Sequence, residues 1–154
     1  MVAIIDYGMG NLLSVQKALN FIKEESIITS DKIKIQKSSS ILLPGVGSFR
    51  QGMINLKELG LIEVLNDQVI NKKKPFLGIC LGMQLIMEKG FEPIESNGLG
   101  WIKGQVKEII NKSLPVPHLG WNRIYSPLNE NKKDDLRIII TLFTAIMLFQ
   151  TRTL

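Results

Sequence analysis

The sequence predicts an α/β fold in which a parallel sheet is covered by helices on both faces. Three observations predict it. Short runs of consecutive apolar residues recur along the chain, segments with apolar residues at helical spacing lie between them, and glycine turns follow several of the runs. The 154 residues are 45% apolar and fit one domain with a core of its own.

The first elements form a strand, a turn and a helix. Residues 2–5 are an apolar run, and the segment 6–11, DYGMGN, follows it as a glycine turn that ends in a potential helix N-cap, Asn11. Leu12, Val15 and Leu19 then recur at helical spacing. A weak second strand is expected at residues 27–28.

Two more buried strands and two helices follow. Residues 41–43 form an apolar run that Pro44 and Gly45 stop, and residues 75–79 form another. A helix is expected between these strands, with its apolar residues at Leu61, Ile62, Leu65, Val69 and Ile70. Residues 81–87 have a helical pattern.

After Phe91 the pattern changes to short segments separated by glycine and proline. This favours appended antiparallel strands around residues 106–110 and 116–118, with a polar loop over 129–135.

Composition argues against several classes of partner. The net charge of +5 is spread along the chain, and its one tight run, Lys72 to Lys74, is typical of a solvated helix end, so no nucleic-acid partner is expected. The apolar run 138–149 is too short to span a membrane. No secretory signal is visible, and the single cysteine, Cys80, cannot form an internal disulfide, which favours a reducing cytoplasm.

The most informative segment is 78–84, GICLGMQ. An apolar strand ends, Cys80 lies at the turn, and a helix begins, while glycines two residues before and after the cysteine allow a sharp bend. This arrangement is that of a nucleophile elbow, in which the helix N-terminus favours a thiolate and the Leu81 N–H can donate to an oxyanion. The alternative interpretation is that Cys80 is a small buried hydrophobic residue.

This segment resembles the nucleophile motif of the class I, triad-type glutamine amidotransferases. Other motifs resemble the glutaminase subunits of imidazole glycerol phosphate synthases within that family. They are DYGMGN at 6–11, PGVG at 44–47, GLGW at 98–101, and PHLGWN at 117–122, where Leu119 replaces a methionine.

The resemblance implies a flavodoxin-like three-layer sandwich with appended strands, and hydrolysis of glutamine to glutamate and ammonia without a cofactor or metal. Cys80 would attack the side-chain amide and form a thioester. Gly45, Val46, Gly47, Leu81 and Gln84 would surround the glutamine and its oxyanion.

The resemblance also implies a partner, a (β/α)8-barrel synthase subunit of histidine biosynthesis that receives the ammonia. Asn11, His118 and Trp121 would face this subunit. A satisfied loop histidine and a core tryptophan are alternative interpretations of His118 and Trp121.

The C-terminal part of the sequence departs from the family. The family supplies a histidine base and a glutamate late in the chain, near a VHSYY motif, whereas the single histidine here, His118, belongs to the earlier motif. If residues 141–147 are written as ACT TTG TTC ACA GCT ATT ATG, reading from the third base gives FVHSYY. We therefore expect an amidotransferase domain over 1–137, incomplete at its C-terminus, and an out-of-frame tail over 138–154.

Such a chain is expected to be inactive or impaired, because a cysteine nucleophile of this type needs its base. The sheet would also keep an exposed edge. Two alternatives stay open. One is a paralogous amidotransferase subunit that supplies ammonia for sugar amidation in surface polysaccharides, and the other is a non-catalytic subunit that docks on the barrel.

Overall fold

The computed structural model describes residues 1–110 and Ser113, together with the backbone of three strands at 121–123, 139–141 and 146–149. The chain divides into two compact units. The first comprises Met1–Lys107 and Leu148–Leu154, and the second comprises Glu108–Met147.

The first unit is built on a four-stranded parallel sheet with the order β2-β1-β3-β4. Its strands are β1 (Val2–Ile5), β2 (Ser26–Thr29), β3 (Ser40–Leu43) and β4 (Phe76–Gly78). The helices that alternate with them are α1 (Leu12–Phe21), α2 (Lys32–Lys37), α3 (Phe49–Glu58), α4 (Leu61–Asn66), which continues as a π-helical turn (Asp67–Asn71), and α5 (Leu81–Leu85). The predicted alternation of parallel strands and helices is confirmed.

Side-chain caps define where three helices begin. Asn11 Oδ1 accepts from the Ser14 N–H at 3.2 Å, which confirms the predicted cap of α1. Asp31 and Ser48 cap α2 and α3 in the same way. Neither α2 nor α3 was predicted from the sequence, although Asp31 and Ser48 are residues that typically begin a helix.

The core lies between this sheet and helices α2 to α5, each of which buries at least one apolar side chain. All four residues of β1 are buried, and Ile4 is fully enclosed between neighbours Ile28 and Leu42 on the adjoining strands. Phe49 of α3 is also fully buried, and its ring occupies the space that a side chain at Gly90 would need. The buried strand predicted for residues 2–5 is confirmed.

The expectation of a fully buried strand at 75–79 is wrong. Leu77 is 56% exposed and Ile79 is 39% exposed. The reason is the position of β4, which is the last strand of its sheet and has a paired neighbour on one side only within the described residues. The apolar run identified a strand but could not tell an edge strand from a central one.

The second sheet contains β5 (Met87–Phe91), β6 (Glu95–Asn97), β7 (Ile102–Glu108) and β10 (Ile146–Phe149). Strands β5 and β6 pair antiparallel, as expected, but β5 and β7 pair parallel, so the antiparallel expectation is only partly correct. The helix after Cys80 ends at Leu85 rather than residue 87, because Met87 already belongs to β5.

In the second unit, β8 (Trp121–Arg123) pairs antiparallel with β9 (Ile139–Thr141). The segments 116–118 and 129–135, for which a strand and a loop were expected, lie outside the described residues. None of the described helices has the length and apolar character that crossing a membrane requires.

Candidate active site

Cys80 lies at a strained turn between β4 and α5. Its backbone has φ 53° and ψ −114°, a conformation that residues with a side chain rarely adopt. Such strain costs about 1–3 kcal/mol and persists where the surrounding structure enforces it. Cys80 is solvent-exposed. The structure therefore places the sulfur at a sharp strand-to-helix turn, as the sequence predicted, and not within a strand or the core.

The two glycines around Cys80 permit close backbone packing. A Cβ at Gly78 would lie 2.7 Å from the carbonyl oxygen of Gly82, and a Cβ at Gly82 would overlap the carbonyl oxygen of Leu43 at the end of β3. Real side chains do not tolerate such contacts, so both positions require glycine. The turn is held by direct approach of α5 to the backbone of β3.

The segment 44–47 follows β3 and adjoins this turn. Gly47 has φ +110°, and a Cβ there would lie 2.6 Å from Cε of Met9, so the position needs glycine. Gly45 is buried, while Val46 is exposed. The Leu81 N–H donates to the carbonyl oxygen of Gly45 at 3.4 Å, which is a long hydrogen bond. The structure thus brings together the two segments from which an oxyanion hole was predicted.

Tyr7 was not identified as a site residue by the sequence analysis. It lies two residues after the end of β1, is 1% exposed, and its hydroxyl has no hydrogen-bond partner within the described residues. Burial, and next the negative charge of the Cys80 thiolate, raise the pKa of Tyr7 well above its usual range, so the phenol stays protonated. The sequence feature that could have indicated a site residue here is a tyrosine between the end of an apolar strand and a glycine.

Glu92 was not predicted as a site residue from the sequence either. The Phe49 N–H donates to Oε2 of Glu92 at 3.4 Å, which places this carboxylate at the N-terminus of α3, two residues after the 44–47 segment. A carboxylate at a helix N-terminus stabilises the helix through the macrodipole. No local pattern around Glu92 indicates this contact, because the two residues are 43 positions apart in sequence.

The remaining predicted residues are placed to different extents. Gln84 lies on α5, partly buried, one helical turn after Cys80. Asn11 is exposed and caps α1. His118 lies outside the described residues, and of Trp121 only the backbone in β8 is described. Their predicted orientation toward a partner stays a prediction.

Two further features concern possible ligands. A cavity of about 460 Å³ opens beside the end of β1, lined by residues that include Asp6, Tyr7 and Asn55, and no residue of the predicted site lines it. In the part of the chain that the structure describes, no group of three or more His, Cys, Asp or Glu side chains could hold a metal ion.

Comparison with known proteins decides the family. A family model described as "Glutamine amidotransferase class-I" matches residues 3–136. The chain belongs to the class-I glutamine amidotransferase family. The family resemblance found in the sequence is confirmed, and by family the chain is an enzyme of the glutaminase type.

Relatives in this amidotransferase family narrow the assignment. The chain is 46% identical over 152 residues to "Imidazole glycerol phosphate synthase subunit HisH 1" of Campylobacter jejuni subsp. jejuni serotype O:23/36 (strain 81-176). The alignment covers 93% of this chain and 75% of that protein. It is 40% identical over 158 residues to subunit HisH of Oceanobacillus iheyensis, which covers 100% of this chain and 78% of that protein. The chain is therefore a member of the HisH-type glutaminase subunits.

A solved structure supports the fold. The chain is similar to a "Crystal structure of glutamine amidotransferase" with a TM-score of 0.64 and 15% sequence identity, over 79% of this chain and 63% of that chain. At this identity the likeness concerns the fold alone, and it confirms the flavodoxin-like architecture of the amidotransferases. The chain thus spans less than two thirds of the length of that solved chain.

Proposed function

We propose that the chain binds glutamine at the turn between β4 and α5 and uses Cys80 to attack its side-chain amide. The carrying observation is the backbone of Cys80, a solvent-exposed residue that is held at φ 53°. Strain of this kind recurs at functional sites, and a purely structural cysteine has no need of it. Gln84, which lies one turn further along α5, is proposed to contact the same ligand.

The proposed reaction has two steps. The Cys80 sulfur forms a bond to the amide carbon and the carbonyl electron pair moves onto oxygen. The electron pair on oxygen then re-forms the carbonyl, the C–N bond breaks, and nitrogen takes up the proton lost by the Cys80 thiol and leaves as ammonia. Water attacks the resulting thioester, which releases glutamate and regenerates the thiol. The N–H of Leu81 and that of Val46 or Gly47 would stabilise the oxyanion in each step.

The ammonia is proposed to pass to a (β/α)8-barrel synthase subunit of histidine biosynthesis, in the cytoplasm. The names of the relatives, which are subunits of imidazole glycerol phosphate synthase, support this partner over the sugar-amidating alternative. Asn11, His118 and Trp121 are proposed to face that subunit.

We further propose that residues 138–154 are translated out of frame, and that the chain with this tail is impaired as a glutaminase. The family match, which ends at residue 136, supports the domain boundary at 137. The alignment with the Oceanobacillus protein covers the whole chain, including the tail, and this counts against an out-of-frame tail. Sequencing the coding DNA downstream of the Asn129 codon distinguishes an out-of-frame tail from an in-frame one, because a frameshift requires the VHSYY-encoding frame to be present.

Glutamate release tests the function. The 154-residue chain and a chain in the restored frame are each combined with the barrel subunit and supplied with glutamine. The restored chain should release glutamate, and the 154-residue chain should be slower by several orders of magnitude, as when a triad member is lost. A restored chain with Cys80→Ser is the matched control and should also be inactive. Equal activity of the restored chain and its Cys80→Ser variant would contradict the proposed nucleophile.

The presence of only one histidine in the sequence favours a second candidate, a subunit that docks on the barrel without making ammonia. The same assay separates it from the first. Binding of the 154-residue chain to the barrel, without glutamate release from either chain, would favour docking. Measurable glutamate release from the 154-residue chain would exclude a subunit that only docks.

A further inference from the structure

The hydroxyl of Tyr7 is a buried hydrogen-bonding group without a partner. Among the described residues only one other side-chain group, the hydroxyl of Ser26, shares this property. A buried hydroxyl that makes no hydrogen bond loses its interaction with water without compensation, so it destabilises the fold, and such a group in a folded protein calls for an explanation.

The position of this hydroxyl is fixed beside the 44–47 segment. The carbonyl oxygen of Tyr7 accepts from Nδ2 of Asn55 at 2.9 Å, which ties the Tyr7 backbone to α3. Its hydroxyl lies so close to Gly45 that a Cβ on that residue would overlap Oη. The phenol therefore points at the backbone of Gly45, in the segment proposed to bind the oxyanion.

The carbonyl of Gly45 accepts a hydrogen bond from an N–H group that the proposed reaction also uses. Among residues 1–110 its one hydrogen bond comes from the Leu81 N–H, at 3.4 Å. The same N–H is proposed to hold the oxyanion. When it turns to the oxyanion, the carbonyl of buried Gly45 loses its partner, which would oppose formation of the oxyanion.

We propose that Tyr7 is a positioning residue whose hydroxyl donates to the Gly45 carbonyl once the Leu81 N–H binds the oxyanion. This inference rests on the proposed function of Cys80. In the free protein the hydroxyl makes no bond to this carbonyl, which could accept a second donor. The proposal therefore requires the carbonyl to turn toward the hydroxyl when the Leu81 N–H leaves it, so the bond exists only in the adduct and favours the adduct over the free site.

The protonation state of the phenol fits this role. A donor is needed in the adduct, where the negative charge of the thiolate has moved onto the oxyanion. Burial and the charge on Cys80 both raise the pKa of Tyr7, so the proton stays on the phenol oxygen throughout.

A reversible tetrahedral adduct tests the proposal. The probe is 5-oxopentanoate, an aldehyde with the five-carbon chain of glutamine but without its amino group. The Cys80 sulfur adds to its aldehyde carbon, the carbonyl electron pair moves onto oxygen, and the thiol proton passes to that oxygen. Adduct formation is measured as protection of Cys80 from iodoacetamide, with intact-mass detection, in the full chain and in its Tyr7→Phe and Ser26→Ala variants.

Tyr7→Phe should need about three- to tenfold more aldehyde for the same protection, the equivalent of one ordinary hydrogen bond. Its alkylation rate without aldehyde should equal that of the wild type, and its resistance to urea should be equal or higher, because only an unpartnered hydroxyl is removed. Ser26→Ala, which removes the other unpartnered hydroxyl at the start of β2, should leave the protection unchanged.

Four results would overturn the proposal. Equal protection of Tyr7→Phe and wild type would show that the hydroxyl has no role in the adduct, while the proposed function would stand. Slower alkylation of Tyr7→Phe without aldehyde would show that the hydroxyl acts on the thiolate itself. Clear destabilisation of Tyr7→Phe would reveal a structural bond. Absence of aldehyde protection in the wild type would instead reject the proposed function, and this inference with it.

Discussion

Strands β1 and β4 belong to one parallel sheet but are held in different ways. Every residue of β1 is buried, whereas Leu77 in β4 is more than half exposed. What fixes the β4 region is backbone contact, because Gly82 brings α5 against the end of β3. The difference teaches that apolar side chains specify the centre of the sheet, while glycine positions specify the turn that carries Cys80.

The largest expected effect is that of a side chain at position 82. Gly82→Ala forces a Cβ into the carbonyl oxygen of Leu43, so it should destabilise the chain by at least about 3 kcal/mol or prevent folding. Gly100→Ala is the control. Gly100 has open space around it but φ +69°, so only backbone strain of about 1 kcal/mol is expected. Urea unfolding followed by circular dichroism measures the stability of both variants. Equal losses of stability would contradict the claim that backbone contact at Gly82 fixes the β4 region.

Truncation of one side chain in each strand compares β1 and β4 directly. Ile4 and Leu77 lie on either side of Leu42 in the register of the sheet. Ile4→Ala should cost about 2–5 kcal/mol because it leaves a cavity in the core. Leu77→Ala should cost less than about 1 kcal/mol, since more than half of that side chain is already in water. A large loss for Leu77→Ala in urea unfolding would mean that β4 is buried after all.

Strain at the nucleophile should appear as a gain in stability when Cβ is removed. Cys80→Gly should be more stable than Cys80→Ala by about 1 kcal/mol, because glycine adopts a positive φ without penalty and both variants lack the thiol. The free energies of unfolding in urea give the difference. An alanine variant as stable as the glycine variant would argue that the turn is unstrained.

The smallest effect is expected at Tyr7, which joins β1 to the site. Its pKa is raised in the folded state, so near pH 10 the unfolded chain loses this proton while the folded chain keeps it. The unfolded chain then binds fewer protons, and stability falls as pH rises. Relative to Tyr7→Phe, the wild type should therefore lose stability above about pH 10, by at most about 1.4 kcal/mol per pH unit. Urea unfolding between pH 9 and 10.5 measures it, and parallel curves would contradict a buried, protonated phenol.

Sequence predicted the parts of this molecule that local pattern determines. The apolar run of β1, the cap at Asn11 and the glycine-flanked turn at Cys80 could each be read from a few adjacent residues. The exposure of Leu77 could not, because it depends on which strands pair with β4. Nor could the contact between Tyr7 and Gly45, since it joins the ends of two different strands.

Covalent labelling with a glutamine analogue tests the central claim, that Cys80 is a nucleophile in a glutamine site. The full chain is treated with 6-diazo-5-oxo-L-norleucine, and with iodoacetamide as a reagent that has no affinity for such a site. The account predicts that the glutamine analogue forms a single adduct, on Cys80, and that glutamine suppresses its formation. Labelling of the unfolded chain by iodoacetamide should be insensitive to glutamine. Labelling by the analogue that glutamine does not suppress, or none at all on a chain whose thiol still reacts with iodoacetamide, would contradict it.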